Sequence, residues 1–184
     1  MQDALLIEKC IRGNELAQYQ LYQRFAQPMY HTAWRMVGNG EDAKDVLQQA
    51  FIKIFSNLHT VQDIQAVAGW IKRIVINTAL DHLQGKRRWR IEPQEYIPEL
   101  AIAADAEIKM AVQEMHDMIM ELPDGCKQVF CLYLLEGYKH QEIAEMLEIT
   151  ESTSKSQYWR AKQLLKQKIT THEQTGRTGT VDPA

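Results

Sequence analysis

Cysteine, proline and glycine are scarce in this chain, at three, five and nine of 184 residues, and each shortage narrows what the protein can be. Cys10, Cys126 and Cys131 are odd in number and form no Cys-x-x-Cys pair. That speaks against a disulfide framework or a cysteine zinc site and leaves buried helical thiols as the expected state. The histidines form no His-Glu-x-x-His cluster, no glycine-rich phosphate loop is present, and no serine sits in a Gly-x-Ser-x-Gly elbow. The chain is therefore expected to be no enzyme, with no catalytic residue, no metal and no cofactor. No apolar run reaches the roughly 18 residues of a membrane-spanning helix. The first dozen residues, Met1 to Arg12, carry acids where a signal peptide has positive charge. A cytoplasmic protein without membrane insertion of its own is the expectation.

What remains is a sequence rich in Ala, Leu, Ile, Met, Gln, Glu and Lys, all good helix formers, so an all-α fold is expected. The length suits one large domain or two small ones. The net charge of −3 hides a strong segregation. Lys72, Arg73, Lys86, Arg87, Arg88 and Arg90 face only Asp81 in one segment, and Lys155, Arg160, Lys162, Lys166 and Lys168 meet no acid in another. Between them lie Glu92, Glu95, Glu99, Asp105, Glu107, Glu114, Asp117, Glu121 and Asp124 against Lys109. Two basic patches separated by an acidic stretch suggest two contacts with a polyanion.

Hydrophobic periodicity divides the chain further. Leu5, Leu6, Cys10, Ile11 and Leu16 suggest a first amphipathic segment interrupted at Gly13-Asn14. A second helix is predicted from Tyr19 through Met36, with Pro28 kinking or breaking it, and Gly38-Asn39-Gly40 is a turn. Ala43, Val46, Leu47, Ala50, Phe51, Ile54 and Phe55 follow the spacing of one buried helical face. A polar loop spans Asn57 to Gln65. A fourth helix is predicted from Ala66 to Leu83, buried along Trp70, Ile71, Ile74, Val75 and Leu80. Its residues Arg73, Asn77, Asp81 and Gln84 share a polar stripe. Lys86-Arg87-Arg88-Trp89-Arg90 follows, basic residues around an aromatic, suited to phosphate contact and base stacking.

Pro93, Pro98 and the acids around them read as a linker. The predicted organisation is two small helical domains, residues 1–91 and 105–172, joined by an acidic linker over 92–104 and followed by a disordered tail over 173–184. In the second domain a helix stops at Pro123-Asp124-Gly125. The next runs from Cys126 to Glu136 and ends at Gly137, a fitting residue just past a helix end. His140 to Lys168 reads as a helix-turn-helix. Ile143, Ala144 and Leu147 are its core positions, Ile149 lies in the turn, and Thr150 caps a second helix running from Glu151 to about Ile169. That helix presents Ser152, Thr153, Lys155, Ser156, Gln157, Trp159, Arg160 and Lys162, whose hydroxyl, amide and basic groups suit the major groove.

Leu122-Pro123, Val129-Phe130, Glu136-Gly137-Tyr138, His140 through Leu147, Thr153, Lys155-Ser156 and Arg160-Ala161-Lys162 together resemble the promoter −35 reading domain of extracytoplasmic-function sigma factors. The amino-terminal half is similar to the same family independently. Glu41 through Lys53 resembles its polymerase-docking helix. Gly69 through Ile74 with Asn77, Ala79-Leu80-Asp81 and Lys86-Arg87-Arg88 resembles its −10 element segment. The resemblance implies a sigma factor that binds core RNA polymerase and directs promoter-specific initiation. It places Asp42, Asp45, Gln48, Gln49 and Phe51 on or beneath the surface holding the β′ clamp helices. It places Arg73, Asn77, Asp81, Lys86, Arg87 and Arg88 at the −10 element, with the Asn57 to Gln65 loop near an extruded base. The eight residues from Ser152 to Lys162 named above go to the −35 element. The partners implied are core polymerase through its β′ clamp helices and β flap, promoter DNA, and an anti-sigma factor.

Four positions depart from the family pattern. Lys139 stands where Ser or Thr caps the first helix of the motif, a loss of about 1 kcal/mol. Glu148 holds the turn position usual for Gly, where a left-handed backbone is strained. Ser154 replaces an aliphatic residue and Gln157 replaces Arg, which suggests adenine rather than guanine as its base. Two other readings compete: a dimeric helix-turn-helix regulator that binds its operator without polymerase, and a nuclease. The nuclease would need a metal-binding cluster, for which Asp42 and Asp45 are too little.

Overall fold

The computed structural model describes residues 2–86 and 112–177, and every described element is a helix or a connecting turn. The chain divides into two compact units, residues 1–90 and 91–184. The residue 92–104 linker, Arg87, Arg88, Trp89 and residues 178–184 lie outside the described residues.

The first unit holds α1 (Gln2–Ile11), α2 (Glu15–Val37), α3 (Gly40–Asn57) and α4 (Val67–Lys86). Short polar side chains set the helix starts. Asn14 Oδ1 accepts the Ala17 amide at 2.9 Å, and Asn39 Oδ1 accepts the Asp42 amide at 2.9 Å, each satisfying an amide that a helix start leaves without an internal partner. Between these helices Gly38 takes φ +85 and returns its amide to Trp34 O at 2.8 Å, the left-handed stop that glycine permits. The core is built where α2, α3 and α4 meet. Ala33, Ala43, Ala50 and Ala79 are fully buried, as are Val46, Ile54, Ile71, Val75 and Ile76. The alanines allow close helix approach while the branched residues fill the space between.

Two expectations change here. α2 begins at Glu15 and runs unbroken through Pro28. Pro28 is exposed, so the carbonyl it leaves without a helical amide can turn to water. In α1 the inward residues are Ile7 and Cys10, while Leu5 and Ile11, and Leu16 at the start of α2, are exposed. The Asn57 to Gln65 loop is anchored by buried Leu58 and contains a 3₁₀ turn over Leu58–Thr60.

The second unit comprises α5 (Val112–Met120), α6 (Asp124–Phe130), α7 (His140–Leu147) and α8 (Glu151–Arg177). α6 follows Pro123 directly and passes into a π-helical turn over Cys131–Leu135. Gly137, at φ +80, then reverses the chain, with the Tyr138 amide bonded to Leu132 O at 3.0 Å. Leu122, Cys126, Val129, Cys131, Leu132, Ile143, Ala161 and Leu165 make the core. α8 extends beyond the expected end near Ile169, so residues 173–177 of the expected tail are helical. Apolar periodicity stops at Ile169 because no apolar residue follows it in the helix, and Lys168 pairs with Glu121 beside α5.

Candidate nucleic-acid interface

The helix-turn-helix geometry rests on three local devices. At its start, Glu142 accepts the Lys139 amide at 2.8 Å. A lysine side chain has no acceptor to return the bond, so α7 begins with half of a capping box. In the turn, Glu148 adopts φ +54 and ψ +42, the one non-glycine residue at positive φ among the described residues. The strain expected from its side chain is therefore present. The Ile149 amide reaches back to Ala144 O at 3.0 Å and closes the turn. Thr150 then caps α8, its hydroxyl accepting the Thr153 amide at 3.1 Å.

α8 packs on both α6 and α7, and this divides the eight residues expected at DNA. Ser152, Lys155 and Arg160 are exposed, and Trp159 and Lys162 are half-buried. Ser152, Lys155, Trp159 and Lys162 step by three, four and three and so share a stripe. Lys155 pairs with Glu151 at 2.8 Å, which holds the Glu151 carboxyl below its usual range. The Lys162 ammonium lies 4.8 Å from the centre of the Tyr158 ring, a cation–π approach.

Thr153, Ser156 and Gln157 are a correction: all three are buried. The Thr153 hydroxyl lies 2.8 Å from that of Thr150, and Ser156 Oγ donates to Thr153 O at 2.9 Å. Gln157 Oε1 accepts the Cys126 thiol at 2.9 Å, so it holds the core rather than reading adenine. Burial pushes the Cys126 thiol up, against the opposing pull of the Arg160 charge. Because one helix packs on two neighbours, its buried side is wide and takes polar positions that a one-sided amphipathic reading leaves outside.

Sequence reading also missed an aromatic cluster that braces α7 against α8. The His140 ring stacks on Tyr133 with centroids 4.3 Å apart and planes 12° from parallel. Tyr133 meets Tyr158 at 4.6 Å, and His140 Nδ1 lies 2.9 Å from Ser154 Oγ. Ser154 is completely buried, so the departure from an aliphatic residue is matched by a polar partner. The turn beside this cluster leaves Leu134 and Leu135 exposed. The signal available in the sequence was aromatic spacing across three elements, which no single helix period displays.

In the first unit, Asp45, Gln48 and Gln49 are exposed on the outer face of α3, with Ile52 exposed beside them. Phe51 lies beneath this face and not on it. It is buried, edge-on to Tyr22 at 4.7 Å, and supports that face from beneath. Asp42 is also turned inward. It accepts from Asn39 Nδ2 at 2.7 Å, and its Oδ1 lies 3.1 Å from His82 Nε2 on α4. On α4, Arg73, Asn77 and Asp81 are exposed along one stripe, and Asp81 pairs with Lys53 of α3 at 3.1 Å. Lys86 is the last helical residue. Among the described residues no group of His, Cys, Asp and Glu could hold a metal ion, and no helix is long and apolar enough to cross a membrane.

Each unit carries a family signature. Residues 21–89 match the model of Sigma-70 region 2, and residues 112–165 match that of Sigma-70, region 4. The ECF RNA polymerase sigma factor SigM of Mycobacterium tuberculosis is 30% identical over 161 residues, covering 87% of this chain and 81% of its own. The chain belongs to the ECF RNA polymerase sigma factors. A second relative of this sigma factor is the RNA polymerase sigma factor SigV of Bacillus subtilis, 29% identical over 144 residues, 78% of this chain and 86% of the other. In fold the sigma factor is similar to RpoE of Bartonella quintana, solved in complex with the anti-sigma factor NepR. The TM-score is 0.56 and the identity 16%, covering 83% of this chain and 96% of that one. The two regions fall on the two compact units, so α3 and α4 belong to region 2 and the helix-turn-helix to region 4.

Proposed function

We propose that this sigma factor grips promoter DNA at two places and polymerase between them. Core RNA polymerase is held by the α3 face of Asp45, Gln48 and Gln49, which receives the β′ clamp helices, with Phe51 beneath it. The −10 element is met by Arg73 and Asn77 and by the basic segment Lys86, Arg87 and Arg88. The −35 element is met by Ser152, Lys155, Trp159, Arg160 and Lys162. The β flap is the polymerase element assigned to the second unit.

One observation carries the reading: the polar and basic residues left exposed on α3, α4 and α8 fall in the family's two regions, in family order. Lys155 and Lys162 on the α8 stripe and Arg160 beside it suit phosphates, and Ser152 suits a base edge. The likeness to RpoE, solved with its anti-sigma factor, supports an anti-sigma partner for this chain as well. The test is transcription in vitro with purified chain and core polymerase on a genomic promoter library. Defined start sites that appear only when the chain is added are the expected result. An unchanged transcript pattern, with no co-purification with core, would contradict it.

A further inference from the structure

Two contacts between α3 and α4 converge on one helical turn. His82 Nε2 lies 3.1 Å from Asp42 Oδ1, an ion-pair distance without hydrogen-bond alignment. Both side chains are largely covered, at 13% and 15% exposure. The next residue back, Asp81, meets Lys53 at 3.1 Å on the surface. Asp42 lies in the first turn of α3 and Lys53 near its end, eleven residues on, so the two contacts grip the turn of α4 that holds Asp81 and His82 from opposite ends of α3. Leu80, buried, packs within the same turn. Lys86, where α4 ends, is one turn beyond His82.

The position of Asp42 is itself fixed. Asn39 caps α3 by accepting the Asp42 amide and also donates to the Asp42 carboxylate. The carboxylate is therefore held on the α4 side by the same turn that starts the docking helix. Substituting Asp42 takes from the covered His82 ring the carboxylate that lies beside it. The exposed Lys53–Asp81 pair contributes little energy by comparison, but it opposes rotation of the same turn.

We infer that Asp42 and His82 form a clasp that positions the end of α4, and that Asp42 serves promoter reading through α4 rather than touching polymerase. This rests on the reading of α4 as the −10 helix. Asp42 and His82 are positioning residues, and the placement of the end of α4 is what they set. The Asp42→Asn change removes the charge at nearly constant shape and retains an acceptor for Asn39, so it isolates the clasp from the cap.

The experiment uses full-length chain and reconstituted holoenzyme with Asp42→Asn, His82→Ala and the double variant. It reads core affinity by fluorescence titration, open-complex formation by permanganate reactivity on a promoter recovered from the library above, and thermal unfolding of the chain. Each single variant should leave core affinity within about twofold of the parent and reduce open complex about fivefold, the size expected of a coupled position. The double variant should be no worse than the worse single one, in open complex and in stability alike. Weakened core binding by Asp42→Asn but not by His82→Ala would overturn the proposal, as would losses that multiply. A parent chain that gives no promoter-specific open complex overturns the sigma reading itself. The stability cycle still decides whether the two side chains are coupled.

Discussion

Glu148 carries the clearest local cost in the second unit. Its left-handed backbone closes the helix-turn-helix, and a Cβ in that region is unfavourable by roughly 1 kcal/mol or more. Glu148→Gly should therefore raise stability by about 1 kcal/mol, seen as a higher urea midpoint with unchanged slope. A lower midpoint would show that the glutamate makes a compensating contact. Gln128 is a second residue-scale case. It is 1% exposed, and neither its Oε1 nor its Nε2 has a hydrogen-bond partner among the described residues. A buried amide in that state is costly, so Gln128→Met, close in length and apolar, should stabilise the chain by about 1 kcal/mol. Thermal unfolding at or below the parent temperature would contradict this. Lys139 and Ser154 show that a departure from a family pattern need not be a simple loss. The first is offset in part by Glu142 and the second by His140.

At the scale of elements, α8 separates what the sequence made legible from what it did not. Its capping threonine, the turn before it and its outward cations were readable because each depends on local chemistry. The burial of Thr153, Ser156 and Gln157 was not, because it depends on α6 and α7 packing on one helix from two sides. The end of α8 was hidden for a simpler reason: residues 170–177 include no apolar side chain, so there is no apolar period to follow. In α2, Pro28 looked like an interruption, yet it falls on the exposed side where a missing hydrogen bond is tolerated. Phe51 and Asp42 sat within a legible helix, α3, but the side each faces was decided by Tyr22 and His82 on other helices. The two faces of α8 make a paired prediction. Lys155→Ala and Arg160→Ala should weaken holoenzyme binding to promoter DNA by roughly 1–3 kcal/mol each, flatten the salt dependence, and leave the melting temperature unchanged. Gln157→Ala should instead lower stability by about 1–3 kcal/mol, through a cavity and a thiol left without its acceptor. Filter binding beside calorimetry separates the two effects, and equal loss of stability in all three would refute the division of faces.

At the scale of the whole molecule, the sequence already showed two basic patches and an acidic stretch between them. Fold class follows from features that repeat along the chain, namely helix period and turn residues, whereas the family rests on the motifs quoted from each half. The division into two units, each with its own core, puts regions 2 and 4 of a sigma factor on separately built scaffolds. Each scaffold offers only a few outward residues to DNA, too small a grip for tight specific binding by itself. Joining both grips to polymerase makes their effects multiply through effective concentration. The central claim is thus that promoter recognition belongs to the holoenzyme. The most direct test is the affinity of one recovered promoter for the chain alone and for chain with core polymerase, at a single fixed salt concentration. The account predicts weak, sequence-indifferent binding by the chain alone and binding at least about a hundredfold tighter, dependent on both promoter elements, once core is present. Tight, sequence-specific binding by the chain alone, unchanged by core polymerase, would contradict it.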